Sequence, residues 1–217
     1  MNDPQFIAKQ LRKPSGDFAI EIADKMGKGN SPLYDLMINY LEIQNHDSIL
    51  EIGFGSGAHF AELFKKANNL QIHGIDYSPE MTNLAKLNNR PFVESGKLKL
   101  MTSDSKQTPF SDHSFDIVFC NMVIYFWDDP AEYLKEIQRI LKPGDRFYTG
   151  MRTRKSMLRF PFTKYGFNLY SISEWKSILE SNGFEVIGES RQMDPAFKFD
   201  DDGEIVKLES VCIAAIT

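Results

Sequence analysis

The chain has 217 residues, of which 42% are hydrophobic and 25% charged, and its formal net charge is -5. These values are typical of a single globular α/β domain with a sizeable core. DNA- and RNA-binding domains usually carry a basic surface, so the acidic balance disfavours general nucleic-acid binding and we expect no stable nucleic-acid partner.

The cysteines and the N-terminal residues indicate the expected compartment. Cys120 and Cys212 lie in apolar, strand-like runs, which predicts buried thiols in a reducing environment. Cys and His are few and none has ligand spacing, so we expect no metal site. The N-terminus lacks a secretory signal, and the apolar run at 115–127 is too short to span a bilayer. We therefore expect a soluble, cytoplasmic protein without a membrane span, whose oligomeric state the sequence leaves open.

Apolar and amphipathic segments alternate from residue 48 onward, the pattern of βα units around a parallel sheet. The predicted strands lie at 48–52, 70–75, 97–101, 115–120 and 146–150. Helix starts are predicted where Ser or Asp precedes Pro, because the first residue caps a helix and Pro suits its first turn. The predicted helices therefore begin at 31, 78 and 129, and a further helix spans about 173–182.

The last part of the chain departs from this alternation. Strand-like runs at 184–189 and 208–216 follow each other without a helix, which predicts an antiparallel pair at the sheet edge. The loop between them contains three aspartates and a glycine at 200–203. It lacks the other ligands of a calcium loop, so we interpret it as a solvated turn.

A glycine-rich turn lies between the first strand and the next helix, with the sequence Glu51-Ile52-Gly53-Phe54-Gly55-Ser56-Gly57. Glycines at such a position allow a sharp turn and a close approach of a ligand to the backbone. Asp76 ends the second strand 19 residues after Gly57, where a carboxylate is placed to accept both hydroxyls of a ribose. Together the loop and the acid predict a cofactor that contains adenosine.

Two details of this loop favour S-adenosylmethionine over NAD. The glycine spacing is G-x-G-x-G, whereas dinucleotide sites usually show G-x-G-x-x-G. Glu51 lies two residues before the first glycine, where a carboxylate would repel a pyrophosphate and attract an ammonium or sulfonium group. S-adenosylmethionine carries both cations and no phosphate.

Four segments in order give the chain a family resemblance: ILEIGFGSG (49–57), IHGIDYSPEM (72–81), SDSKQTPFSDHSFDIVF (103–119) and RILKPGDRF (139–147). With them the sequence resembles the class I S-adenosylmethionine-dependent methyltransferases, in particular the small-molecule branch that includes ubiquinone/menaquinone biosynthesis enzymes. The resemblance implies a Rossmann-like three-layer α/β/α sandwich with a seven-stranded, mostly parallel sheet and a C-terminal antiparallel β-hairpin. It also implies methyl transfer from S-adenosyl-L-methionine, with S-adenosyl-L-homocysteine as product.

The resemblance further implies which residues bind the cofactor. The glycines lie under the methionine and ribose portions, and three acids bind the amino group, the ribose and the adenine in chain order. The other residues lie near the adenine or near the site of methyl transfer. The predicted cofactor-binding residues are Glu51, Gly53, Gly55, Gly57, Asp76, Tyr77, Met81, Asp104, Ser105 and Asn121. The chain departs from the family at Ile124 and Tyr125, where members often carry His, so no general base is inferred there.

The acceptor side is less defined in the sequence. Tyr125, Trp127 and His113 are the candidates for an acceptor pocket, whereas His59 is interpreted as an ordinary structural residue. Residues 1–30 are predicted to form a helical arm over the cofactor site and 31–217 the methyltransferase domain, with 151–172 as a substrate cover. The cover segment (151–172) mixes basic and aromatic residues, which predicts either an anionic or aromatic small-molecule acceptor or a solvated loop.

Three other functions stay open at this point. Basic charge among aromatic residues is also the pattern of single-strand binding, so an RNA methyltransferase, or a protein methyltransferase, is the first alternative. A non-catalytic nucleotide-binding protein is more remote, because the glycine loop, Asp76 and Asp104 are all present. An NAD-dependent oxidoreductase comes last, because the glycine spacing and Glu51 disfavour a pyrophosphate.

Overall fold

A seven-stranded sheet is the centre of the structure, a computed structural model that describes residues 3–198 and 205–217. The predicted turn at 200–203 lies outside the described residues. The strands are β1 (Ser48–Ile52), β2 (Gln71–Asp76), β3 (Leu98–Thr102), β4 (Phe115–Asn121), β5 (Leu141–Arg152), β6 (Glu185–Met193), β7 (Phe197–Lys198), β8 (Ile205–Val206) and β9 (Glu209–Ile216).

Helices connect most of these strands and cover both faces of the sheet. They are α1 (Pro4–Arg12), α2 (Ala19–Tyr40), α3 (Phe60–Leu63), α4 (Pro79–Asn88), α5 (Arg90–Glu94), α6 (Pro130–Ile140), α7 (Arg154–Met157) and α8 (Ile172–Ser181). Capping follows the sequence rules at α4 and α6, where Ser78 and Asp129 accept hydrogen bonds from the first turn and Pro follows each cap.

The strand order in the sheet is β3-β2-β1-β4-β5-β9-β6. The first five of these are parallel, and β9 pairs antiparallel with both β5 and β6. The short strands β7 and β8 form a separate antiparallel pair. The predicted fold class is confirmed: a mostly parallel seven-stranded sheet with antiparallel strands contributed by the C-terminal part of the chain.

Alternating side chains of the central strands supply the two layers of the core. Leu50 and Phe147 pack with α6 and α8 on one face, and Ile49 and Tyr148 pack with α2 on the other. All four are at most 1% exposed. This is the pattern expected of parallel strands that helices cover on both faces. Cys120 and Cys212 are free and buried, as predicted.

Helix α2 corrects one prediction, because it starts at Ala19 and continues through Ser31 and Pro32, where a helix start was predicted. Pro inside a helix removes one backbone hydrogen bond and costs about 3 kcal/mol. Burial of Ile22 and Ala23 before the proline and of residues such as Leu33 after it offsets that cost.

Strand β5 corrects a second prediction. The Lys-Pro-Gly sequence at 142–144 was expected to precede the strand, yet β5 already starts at Leu141, directly after α6. The register against β4 shifts from Phe115 opposite Leu141 to Ile117 opposite Arg146, so the turn residues form an irregularity within the strand.

Within residues 3–198 and 205–217, none of the helices combines the length and the apolar character that crossing a membrane requires. The same residues contain no cluster of His, Cys, Asp and Glu side chains suited to a metal ion.

Candidate active site

The strand order reverses between β1 and β4, and a cavity of about 260 Å³ opens at the carboxyl ends of these strands. After β1 the chain continues to β2 and β3 on one side, whereas β4 lies on the other side of β1. Ligands of doubly wound sheets bind in the crevice that such a reversal creates. We refer to this space as the main cavity.

The glycine loop after β1 forms the floor of the main cavity. Gly53, Gly55 and Gly57 all have positive φ, at 74°, 55° and 66°, a conformation that other residues rarely adopt. A Cβ added to Gly53 would lie 2.4 Å from Cγ2 of Val123, so a side chain there would collide with the segment after β4. The loop therefore needs glycine for its conformation and, at Gly53, for close packing.

The Asp76 carboxylate holds the glycine loop against the end of β2. Its Oδ2 accepts a hydrogen bond from the Gly55 amide at 2.9 Å, and its Oδ1 accepts one from the Ser78 amide at 2.8 Å. A carboxylate has about four acceptor positions, so each oxygen keeps one for a ligand hydroxyl. Burial raises the pKa of Asp76 to about 6, against the lowering effect of these hydrogen bonds.

A second buried carboxylate, Glu51, lies behind a tyrosine of α2. The Tyr34 hydroxyl donates a hydrogen bond to Oε1 of Glu51 at 2.7 Å, and the Tyr34 ring stacks on His59 with centroids 3.7 Å apart. Burial raises the pKa of Glu51 to about 8, although the bond from Tyr34 acts in the opposite direction. Burial also lowers the pKa of His59, which favours the neutral imidazole.

Most of the residues predicted to bind the cofactor line the main cavity together. They are Gly53, Gly55, Asp76, Tyr77, Met81, Asp104, Ser105 and Asn121. Two predicted residues do not line it. Glu51 lies outside the lining and is hydrogen-bonded to Tyr34, which lines the cavity, and Gly57 packs against α4, where an added Cβ would lie 2.9 Å from Cβ of Ala85.

The three acceptor candidates have different surroundings. Trp127 lines the main cavity and stacks on Tyr133. Tyr125 is fully buried and donates a hydrogen bond to the Arg152 carbonyl at 2.6 Å, so it packs within the core and does not line the cavity. His113 precedes β4, at the sheet edge opposite the cavity, and its Nδ1 lies 2.9 Å from the Leu141 carbonyl oxygen.

Residues 1–30 were expected to form an arm over the cofactor site, but the individual side chains of α2 that line the cavity were not predicted. Ala23, Gly27, Asn30 and Tyr34 line it at a spacing of four, three and four residues, which places them on one side of a helix. His59, interpreted as an ordinary structural residue, also lines the cavity. A continuous helix from 19 to 40 would have revealed this stripe, but the predicted helix start at Ser31 divided it.

The N-terminal residues lie over the same cavity, to which Leu11, Arg12 and Pro14 contribute. Ser78 donates a hydrogen bond to the Pro14 carbonyl at 2.6 Å, and Arg12 forms an ion pair with Asp128 at 3.1 Å. These contacts attach the chain before α2 to both sides of the cavity mouth.

Two arginines of the cover segment form ion pairs within the chain. Arg152 is buried and pairs with Asp194 at 2.9 Å, and it also donates to the side chain of Asn30. Arg154 pairs with Glu174 at 2.8 Å. Their charges are therefore engaged in holding the fold, which removes the support that these two arginines gave to the prediction of an anionic acceptor.

The cavity is suited to a cation with hydroxyl groups. Its own cations Arg12 and Lys106 are ion-paired, with Asp128 and Glu132. Both amide atoms of Asn121 are buried and, within the described part of the chain, have no hydrogen-bond partner. The residues present thus fit the adenosine and the positively charged methionine group of S-adenosylmethionine: free acceptors on Asp76, nearby carboxylates and an unsatisfied amide.

Comparison with known proteins points to one family. A family model described as "Methyltransferase domain" matches residues 50–149. The chain is 31% identical to an uncharacterized methyltransferase of Bacillus subtilis, YdaC, over 75% of this chain and 84% of that protein. It is 30% identical to the ubiquinone/menaquinone biosynthesis C-methyltransferase of Rickettsia prowazekii, over 78% of this chain and 70% of that protein.

A solved structure shares the fold. A chain in the complex of the Haloferax volcanii Trm112 methyltransferase activator with a methyltransferase superposes with a TM-score of 0.74 at 22% identity. The match covers 90% of this chain and 95% of that chain. For two further relatives the chain covers only 46% and 64% of their length.

Proposed function

Because the chain belongs to the class I S-adenosylmethionine-dependent methyltransferases, we propose that it binds this donor in the main cavity and methylates a small-molecule acceptor. The observation that carries the proposal is the Asp76 carboxylate, which is tied to the glycine loop by one backbone amide and to the start of α4 by another. This arrangement fixes the carboxylate where a ribose would lie and leaves it acceptor positions for two hydroxyls.

Other lining residues take parts of the donor that match their chemistry. Asp104 and Ser105 offer acceptors for the adenine amino group, and Tyr77 and Met81 offer apolar contact for the ring. Glu51 acts on the positive charge of the methionine end from behind Tyr34, through a hydrogen-bonded contact of 2.7 Å. Once it is ionised, a carboxylate in a buried setting attracts a cation strongly, because water screens it little.

The helix after the glycine loop argues against a dinucleotide. Pyrophosphate sites use the N-terminus of a helix whose aligned peptide dipoles attract the anion. Here α3 has only four residues and starts three residues after Gly57. The buried carboxylate of Asp76, whose pKa is about 6, would add repulsion at neutral pH. A cationic donor avoids both problems.

When bound, S-adenosylmethionine supplies an electrophilic methyl group on a sulfonium. The chain's task is alignment in a space with little water, and good alignment contributes on the order of 7–11 kcal/mol to lowering a barrier. Asn121 is placed for this task at the end of β4, where its amide has hydrogen-bonding capacity for a bound molecule. Gly150 beside it is required, since an added Cβ would lie 1.7 Å from Oδ1 of Asn121.

The N-terminal residues at the main cavity favour a small acceptor and disfavour a polymer. Leu11, Arg12 and Pro14 line one side of the space, and the contacts to Ser78 and Asp128 hold them there. A folded RNA or protein would have to displace this segment to present its reacting atom, whereas a small molecule fits under it.

The test is methyl transfer from labelled S-adenosylmethionine to a cell extract that has been separated into small molecules, RNA and protein. We expect label in the small-molecule fraction, and none with the Asp76→Ala variant, which lacks the ribose acceptor. Label that enters RNA or protein, and depends on Asp76, would reject the small-molecule acceptor while keeping the donor. Equal labelling by wild type and variant would reject the role of Asp76.

A further inference from the structure

A second space of about 90 Å³ adjoins the main cavity between α1, α2 and the cover segment. We refer to it as the side chamber. One water needs roughly 10–15 Å³, so the side chamber has room for a group of several heavy atoms. Most of its walls are apolar side chains, among them Ile22, Met26, Met122, Phe126, Phe162 and Phe167. Met26, Met122 and Phe126 also line the main cavity, so the two spaces share a wall at the end of β4.

Helix α2 presents one stripe of residues to each space. The stripe at 23, 27, 30 and 34 lines the main cavity, and the neighbouring stripe at 22, 26 and 29 lines the side chamber. Both have helical spacing. Asn30 lies at the border and lines both spaces. A single helix thus places the two spaces next to each other at a fixed distance.

Each stripe contains a glycine that the backbone does not need. Gly27 and Gly29 lie inside α2, and neither has a positive φ. A Cβ added to either would meet no atom within 4 Å. Glycine within a helix costs about 1 kcal/mol relative to alanine. Neither conformation nor packing explains this cost, and what the missing side chains leave is open space, which at Gly29 borders the side chamber.

The polar residues that line the side chamber are engaged with other groups. Arg152 pairs with Asp194 and donates to the Asn30 side chain, and Lys25 pairs with Glu21 at 3.2 Å. An anion in the chamber would have to compete for these pairs and give up its hydration, which is costly in an apolar space. A neutral, apolar group loses nothing of this kind.

We propose that the side chamber binds the body of the methyl acceptor, and that this body is a neutral apolar ring or branched hydrocarbon. The inference rests on the proposed function, since the reacting atom of such an acceptor would enter the main cavity past Met122 and Asn121. Burial of an apolar group contributes about 25 cal/mol per Å² of surface removed from water, so the chamber supplies affinity without a charge. Gly29 leaves the room for this body.

The test uses indole as a neutral ring and indole-3-carboxylate as its anionic counterpart, titrated into the protein saturated with S-adenosylhomocysteine. We expect indole to bind, the carboxylate to bind about tenfold more weakly or worse, and Gly29→Leu to weaken indole binding by about tenfold or more. Lys28→Leu is the matched control, because it adds the same side chain at the next, exposed position. It should leave indole binding unchanged.

S-adenosylhomocysteine binding by each variant is measured separately, and it should survive in Gly29→Leu. If wild type binds indole but not S-adenosylhomocysteine, the proposed function fails, whereas the side chamber is still a binding site for an apolar group. The proposal is overturned if indole does not bind, if the carboxylate binds as well as indole, or if Gly29→Leu binds indole like wild type. Gly29→Ala should raise Tm, because it favours the helix; a lower Tm would show that the glycine serves the fold.

Discussion

Binding of S-adenosylmethionine should depend on pH through Glu51. Burial raises the pKa of this carboxyl to about 8, so it is mostly protonated in the ligand-free protein at neutral pH. A cationic ligand next to Tyr34 favours the ionised form and should therefore release a proton on binding. The perturbations are a change of pH and the substitution Glu51→Gln, which keeps the size of the side chain and removes its titration.

The size of the effect follows from the pKa. Each pH unit below the pKa costs up to a factor of ten in affinity, because the carboxyl must first lose its proton. From about pH 8, where half of the Glu51 carboxyl is already protonated, to about pH 6 the loss should be about 50-fold, or about 2 kcal/mol. Asp76, with a pKa of about 6, adds its own dependence only toward the acid end of this range.

Isothermal titration in buffers of different ionisation enthalpy measures both the affinity and the proton release. Glu51→Gln should bind with nearly the same affinity at both pH values, apart from the titration of Asp76 and of the ligand's own amino group, which it shares with wild type. If wild type and Glu51→Gln show the same pH dependence, Glu51 does not sense the ligand's charge and the reasoning fails.

Three further predictions concern stability. Arg152→Met should lower the free energy of unfolding by about 3–5 kcal/mol, because it leaves Asp194 buried without its partner; adding Asp194→Leu should recover much of the loss in urea unfolding. Gly57→Ala should destabilise by about 1–3 kcal/mol or more and lower Tm further than Gly55→Ala does, since both glycines have positive φ but only Gly57 packs closely. Between about pH 5 and about pH 8 the folded, ligand-free protein holds a proton on Glu51 that the unfolded chain has lost, so its stability should fall as pH rises. In urea unfolding, the stability of Glu51→Gln should fall less over this range. An equal fall in wild type and variant would contradict the assigned pKa.

Much of the fold follows from local patterns in the sequence. Runs of apolar residues bounded by turns identified the first four strands, and the caps Ser78 and Asp129 located two helix starts. The same rule was wrong at Ser31, because apolar residues on both sides of Pro32 are buried and keep α2 continuous. A local cap signal cannot show such burial, which depends on the sheet beneath the helix.

Within the site, sequence motifs located the backbone better than the side-chain partners. The glycine loop and Asp76 meet at one cavity because parallel strands end at the same edge of the sheet. The Tyr34–Glu51 hydrogen bond joins residues 17 positions apart on different elements, and no sequence motif predicts it. Likewise, the positive charge of Arg152 suggested an anionic acceptor. Its partner Asp194 lies 42 residues further along the chain, so the sequence did not show that this charge is already paired.

Parallel calorimetric titration of the purified protein with S-adenosylmethionine, S-adenosylhomocysteine and NAD tests whether the main cavity binds the methyl donor. We expect binding of the first two, at least tenfold weakened by Asp76→Ala, and no binding of NAD. Binding of NAD alone, or of none of the three, would contradict this expectation.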